Sequence, residues 1–483
     1  MMEQAYQKIY AFLDENRNNM IADLCELIAY NSVRGEALPG KPFGDAPAAA
    51  LAKTEEICRR MGLAAENHEN YALSAKLNEK PVKLDILAHL DIVEAGDGWD
   101  TDPFKGVIKD GKIFGRGSSD DKGPAVAAIY AAAAVKKFCP ELSGNCRLVL
   151  GSSEETGSED IKHFYATHKN APMSFSPDAE YPVINIEKGA YGPKFSAEWE
   201  SDVCCACEAC IAGMRVLKLA GGKTNNIVPK TAWAQILIPV QGEILIELLT
   251  IACEKTGKAT GAVFDIRRES SEVYRVTVTG EGAHASMPER GNNAQTALIK
   301  MLASLPLADC RSTRAIKAFN ALFPHGDTSG KALGIEQKDD ISGALTLNFG
   351  VLDLGENGFT ARFDSRVPIC ATEETVSKPV AKKLAALGFT VDTLQMKAAH
   401  HTPADSELVK TLIRVYEQHT GKKGECLAIG GGTYVHDIEG GVAFGCEMPG
   451  ADYHIHGPNE YAIIDELIKS AKMFAQAIFE LCV

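Results

Sequence analysis

His89 closes the apolar run Leu84-Asp85-Ile86-Leu87-Ala88, and Asp91 follows two residues on. Side chains alternate across a strand, so these two share a face: the imidazole can offer a nitrogen to a metal ion and the carboxylate can orient the ring. That is half of a metal site. Residues able to complete it stand farther along, at Asp120, at the adjacent pair Glu154-Glu155, at Asp178 and at His456. Carboxylates and imidazoles in this mixture suit two borderline divalent cations and a hydrolysis that uses an activated water.

Each candidate also has a plainer reading. Asp120 sits in Gly115-Arg116-Gly117-Ser118-Ser119-Asp120-Asp121-Lys122-Gly123-Pro124, where Pro124 suits the first helical position and an acidic residue just before a helix is an ordinary cap. Paired with the upstream histidine, Asp120 becomes the best candidate for a carboxylate bridging two ions. Glu154 and Glu155 are adjacent in a Ser- and Gly-rich loop, so one can bind metal while the other takes a proton from water; two solvated charges are the alternative. Asp178, in Ser176-Pro177-Asp178-Ala179, reads by itself as a turn residue. His454 and His456 share a strand-like face before Gly457-Pro458-Asn459-Glu460, and their spacing permits either or both to ligate. The loop Gly430-Gly431-Gly432-Thr433-Tyr434 lacks the Lys-Ser/Thr ending of a phosphate loop; it offers close backbone approach to a carboxylate or oxyanion, or only a strand-to-helix turn. His284 lies among small residues that leave its ring accessible. Asn226 and Arg366 read as surface polar residues.

The elements around these residues imply a fold. Up to about Glu187, helices alternate with short strands: helix over 55–61 and 125–138, strands over 71–77, 82–88, 146–151 and 183–186. This is the texture of an open α/β sheet covered by helices on both faces, in which ligands gather at the carboxyl ends of the strands. His89, Glu154-Glu155 and Asp178 all fall there. Strand-like runs then dominate to the 390s, and α/β texture returns after His400. We therefore expect a discontinuous catalytic domain with a mainly parallel sheet, formed by 1–186 and 398–483, and an inserted α+β lid over 187–397 made of two similar parts.

Composition narrows the function classes. With 50 Lys and Arg against 64 Asp and Glu, the net charge of -14 argues against a nucleic-acid or anionic-membrane partner. No apolar run approaches the ~18 residues of a membrane span, and the N-terminus has no signal-peptide pattern, so the expected location is the cytoplasm. The 14 cysteines are scattered in a way that suits reduced thiols rather than a disulfide framework. The cluster Cys204-Cys205-Ala206-Cys207-Glu208-Ala209-Cys210 lacks a second pair at zinc-site spacing and is expected to be small buried thiols.

The chain resembles the dinuclear zinc metallopeptidases that include aminoacylase-1 and carboxypeptidase G. It does so through His89-Leu90-Asp91, Gly115-Arg116-Gly117 to Gly123, Glu154-Glu155, Asp178, Gly282-Ala283-His284-Ala285 with Pro288 and Gly291-Asn292, and His456 to Glu460, in the family's order. Trp99 with Asp102-Pro103-Phe104, and the 430–434 loop, are similar to the bacterial dipeptidase V branch. The resemblance implies His89 and Asp178 on one metal, Glu155 and His456 on the other, and Asp120 bridging. It makes Glu154 the general base and Asp91 the carboxylate that fixes His89. His284 would stabilise the oxyanion from the lid, and Asn226, Arg366, Gly432 and Thr433 would hold the substrate. It implies a monomer acting on dipeptides with two divalent ions, Zn first and Mn or Co as alternatives. An N-acyl amino acid deacylase on the same centre, or a non-catalytic metal-binding descendant, are the other readings. Glu94, where the family usually has proline, and Val435-His436, where dipeptidase V has Ala-Arg, depart from the pattern.

Overall fold

A computed structural model describes residues 2–202, 213–239 and 242–483; the cysteine cluster at 204–210 lies outside the described residues. The chain divides into two units, Met1–Glu187 with His400–Ala428 and Gly432–Val483, and Lys188–Ala399 with Ile429–Gly431.

The first unit is built on a nine-stranded sheet. Its order is Ala64–His68, Ala72–Lys76, Asn145–Gly151, Val82–His89, Met173–Ser176, Gly441–Ala443, Val183–Glu187 and His400–His401, with Cys426–Ile429 also pairing with Val183–Glu187. The four strands from Asn145–Gly151 to Gly441–Ala443 run parallel, and the flanking pairs are antiparallel. Alternation along the central strands explains why both faces are covered. Leu84, Ile86 and Ala88 join Leu148 and Leu150 in the main core, whereas Leu87 and Val149 pack on the other side with Ile161, Phe164 and Tyr434.

The main core rests on the helices Lys122–Phe138 and Ile464–Cys482. Residues 122–135 of the former are buried all round, which is why its sequence is alanine-rich: small side chains let it lie between the sheet and other helices. It begins three residues before the expected start at 125, so Asp121 occupies the cap position, yet the Asp121 side chain makes no cap hydrogen bond. Near the N-terminus the chain forms two helices, Met2–Glu15 and Arg17–Ile28. The helix expected over 55–61 is the end of a longer one, Asp45–Arg60, whose buried stripe includes Ala48, Leu51, Thr54 and Cys58.

The second unit carries an antiparallel nine-stranded sheet. Four strands, Arg215–Gly221, Thr231–Leu237, Val263–Arg268 and Val273–Thr279, lie with the helices Glu243–Thr260 and Ala294–Ala303. Lys194–Glu198, Thr346–Gly355, Gly358–Val367 and Thr390–Val391 continue the same sheet, and the strands of both groups contribute to one core with Phe195, Phe319, Phe349 and Phe363. No helix among the described residues is long and apolar enough to cross a membrane.

Candidate active site

Three of the parallel strands end at one edge of the first sheet, and the candidate ligands leave from there. His89 is the last residue of its strand; its amide donates to Asp121 Oδ2 at 2.9 Å, and the next amide, of Leu90, donates to Gly151 O at 2.9 Å. Glu154 and Glu155 open a short 3-10 turn just beyond Gly151, and Asp178 follows Met173–Ser176.

The five candidate ligands converge. Asp120 Oδ1 lies 2.9 Å from His89 Nε2, and Asp120 Oδ2 lies 2.9 Å from His456 Nε2. Asp178 Oδ2 is 3.6 Å from His89 Nε2, and Glu155 Oε1 is 3.1 Å from His456 Nε2. His89, Asp120 and Glu155 each offer a ligand atom within 4.8 Å of the others. Although His89 Nε2 is close to Asp120, it is fully buried and not aligned for a hydrogen bond. A buried imidazole nitrogen that crowds carboxylates without a hydrogen bond of its own fits a shared cation.

Electrostatics point the same way. Burial disfavours a charged His89, but Asp120, Asp178 and Asp91 outweigh it and raise its pKa well above the ordinary value. The Asp120 and Glu155 carboxylates hold the half-exposed His456 up to about 11. Burial raises Asp120 as well, yet the two imidazoles overcome it and bring its pKa down. Burial, reinforced by neighbouring carboxylates, pushes Glu154, Glu155 and Asp178 up. Five carboxyl groups, counting Asp91, face two imidazoles, and this excess of negative charge is what divalent cations relieve. The donor set therefore fits such ions.

Asp91 does more than face His89. Its Oδ1 lies 3.5 Å from His89 Nδ1, and its two oxygens accept the amides of Glu154 and Glu155, each at 3.1 Å. The carboxyl of Glu154 accepts no hydrogen bond among the described residues, while its backbone is fixed. His454 stands outside this cluster, half-exposed, with Nδ1 3.3 Å from Pro458 O.

Asn226, His284 and Arg366 belong to the second unit. Asn226 O accepts the Ala285 amide at 2.8 Å, which places it beside the His284 loop. The Ser286 amide donates to His284 Nδ1 at 3.2 Å, so the neutral ring carries its proton on Nε2. Arg366 is held by Asp364 through Nε at 2.7 Å and Nη2 at 3.1 Å, with Nη1 donating to Gly430 O at 2.6 Å.

Gly432 and Thr433 lie in the first unit, and here the expectation for Thr433 needs correction. Its amide donates to Glu187 at 3.1 Å and its hydroxyl at 2.8 Å, and His436 Nδ1 is 3.1 Å from the same carboxyl. Glu187 is fully buried and takes the donors it needs there. The Thr433 donors expected to hold a substrate carboxylate are therefore spent on a protein carboxylate.

Sequence reasoning gave no role to several residues that build the site. Arg116 Nη1 donates to Glu460 Oε2 at 2.6 Å, a pair only 1% and 0% exposed. Glu460 Oε1 accepts the Ser119 and Asp120 amides at 2.9 and 3.2 Å, and Arg116 Nη2 reaches Gly457 O at 3.1 Å. The pair thus ties the Asp120 loop to the His456 loop. Asp121, Asp160 and Glu187 were likewise missed as anchors. Arg116 and Glu460 stood within motifs already singled out, and a charged residue of each sign in two such motifs was the available signal.

The model of the family described as peptidase family M20/M25/M40 matches residues 86–480. The chain belongs to that family. It is 34% identical over 476 residues to the Beta-Ala-Xaa dipeptidase of Lactobacillus delbrueckii subsp. lactis, covering 97% of each chain. Among solved structures, human carnosine dipeptidase 1 superposes with a TM-score of 0.59 at 16% identity, over 99% of this chain and 98% of that one. The di-peptidase Dug1p from Saccharomyces cerevisiae gives 0.56 at 14%, over 99% and 98%. At those identities the two structures speak for the M20 fold.

Proposed function

We propose that the chain is a metal-dependent dipeptidase that hydrolyses the peptide bond of dipeptides with a free C-terminal carboxylate. The observation that carries this reading is Asp120, whose two oxygens each lie 2.9 Å from a different imidazole. That divides the donors into His89 with Asp178 and Glu155 with His456, sharing one carboxylate, and supports two ions with Asp120 between them. Zn is the first candidate, and Mn or Co suit the same ligands. Its 34% identity to a Beta-Ala-Xaa dipeptidase along nearly the whole chain supports the substrate class.

Divalent ions held there supply Lewis acidity, polarising a carbonyl and making water a stronger acid. The chain's own residues do the rest. Glu154, raised by burial and close to the ligands without being tied up, accepts the proton of the attacking water and later delivers it to the leaving amine. Asp91 holds the ring of His89 through its backbone oxygen, 3.1 Å from Nδ1, with the carboxylate 3.5 Å from the same nitrogen, and that carboxylate also fixes the amides of Glu154 and Glu155. In this reading the Nε2 proton of His284 stabilises the oxyanion, Asn226 and Gly432 hold the substrate backbone, and Arg366 takes the terminal carboxylate. The enzyme would work as a monomer using its own His284, in the cytoplasm, where the described cysteines, all free thiols, stay reduced.

The test is amino-acid release from a panel of dipeptides and N-acyl amino acids, using protein stripped by a chelator and resupplied with Zn, Mn or Co. Metal-dependent cleavage of dipeptides is expected. Cleavage of N-acyl substrates alone would make the chain a deacylase, and silence across the panel with metal bound would leave a non-catalytic metal binder.

A further inference from the structure

The loop that carries Glu154 is anchored at two points, and only one of them belongs to the chemistry described above. Asp91 accepts the amides of Glu154 and Glu155. Asp160, wholly buried, accepts the two preceding amides, of Ser152 at 2.6 Å and Ser153 at 2.7 Å, through Oδ2. The same oxygen receives the Tyr434 hydroxyl, while Asp160 Oδ1 takes the Ile161 amide at 2.7 Å. Tyr434 is 3% exposed and comes from the glycine-rich segment, far along the chain. Its ring meets His89 edge-on, with centroids 6.2 Å apart and planes at 89°. Any Cβ at Gly151 would collide with Tyr434 Oη and with Asp160 Oδ2, so the strand end is shaped around this pair.

We infer that Tyr434 and Asp160 act together as positioning residues for the general base, a buried tether that sets where the Glu154 carboxyl stands relative to His89. The inference rests on Glu154 being the base. Its physical content is the short span between anchors: Asp160 holds residues 152 and 153, Asp91 holds 154 and 155, and the tyrosine hydroxyl adds a side-chain donor to the Asp160 oxygen that takes both serine amides. With that hydroxyl gone, the first anchor loosens while every metal ligand and the base itself remain. A displacement of about 1 Å at a reacting group can cost on the order of 10²-fold in rate. A change in the position of the base lowers turnover, whereas none of the side chains assigned to metal or substrate is replaced.

The test is Tyr434→Phe in the metal-loaded enzyme, beside Asp160→Asn, the double variant and Glu154→Gln. Tyr434→Phe should lower kcat about 10- to 100-fold, leave KM and metal affinity within about twofold, and speed amide hydrogen exchange at Ser152 and Ser153. The double variant should lose little beyond the worse single one, because the two groups act as one unit. If Tyr434→Phe does not fold, Asp160→Asn carries the same expectations for kcat, KM and exchange. A kcat within twofold of wild type, or a loss shared equally by kcat and metal affinity, overturns the tether while an inactive Glu154→Gln leaves the base in place. A fully active Glu154→Gln removes the base, and with it the reading on which the tether rests.

Discussion

Replacing Glu460 with alanine should damage both the stability of the first unit and its hold on metal, because that one side chain serves two loops. Arg116 and Glu460 are 1% and 0% exposed and meet at 2.6 Å. Removing one partner of a buried ion pair costs about 3–5 kcal/mol, since the other charge stays buried without compensation. Arg116 would keep only the carbonyls of Glu94, Ala95 and Gly457. The Ser119 and Asp120 amides also lose their acceptor, at about 1 kcal/mol each. The total, about 5–7 kcal/mol, is a large part of the 5–15 kcal/mol typical of a domain. The chain has three tryptophans, and Trp99 has Arg116 5.3 Å from its ring centroid. Urea unfolding followed by Trp99 fluorescence, with Trp199 and Trp233 replaced by phenylalanine, reads the first unit. An Arg116→Met, Glu460→Met pair should recover much of the stability, because apolar side chains replace a buried pair well, but not the metal affinity, because the Asp120 amide still has no acceptor. A Glu460→Ala protein within about 1 kcal/mol of wild type with unchanged metal affinity would refute the reasoning.

Asp91→Asn should weaken metal binding roughly 10- to 100-fold in a chelator competition, since an amide nitrogen would replace one of the two oxygens that accept the Glu154 and Glu155 amides. Arg366→Ala should raise KM for dipeptides far more than it lowers kcat, as expected for a group that binds the terminal carboxylate in ground and transition states alike. Burial pushes the Cys58 thiol from its ordinary 9.0 up to about 12. Because the folded value is the higher one, the stability it contributes is intact below pH 9.0 and disappears as pH rises through about 12. At most about 4 kcal/mol is at stake. Cys58→Val should flatten the alkaline loss of stability measured by urea unfolding at pH 8 to 11.

Much of the first unit could be read from local pattern. A run of apolar residues ending in a histidine gave the strand Val82–His89, and the similar run before Ser152 gave Asn145–Gly151, because strands buried on both faces are nearly continuous in hydrophobicity. The edge strands turned out antiparallel, and nothing local distinguishes their direction. Asp121 occupies the cap position of its helix but its side chain supports His89 instead, a role set by a strand 32 residues away. Arg116 with Glu460 and Asp160 with Tyr434 are 344 and 274 residues apart, so no periodicity reports them. Thr433 shows the opposite failure: the loop was legible, but the buried Glu187 beneath it was not, and that charge decides where the threonine's donors go.

The most direct test of the account is the metal content of the purified chain and of Asp120→Ala, after equilibration with Zn and removal of loosely bound ions. The account predicts two ions per chain, and loss of both, with dipeptide hydrolysis, when the carboxylate between the two imidazoles is removed. A single ion in the wild-type chain, or an Asp120→Ala protein that keeps two, would contradict it.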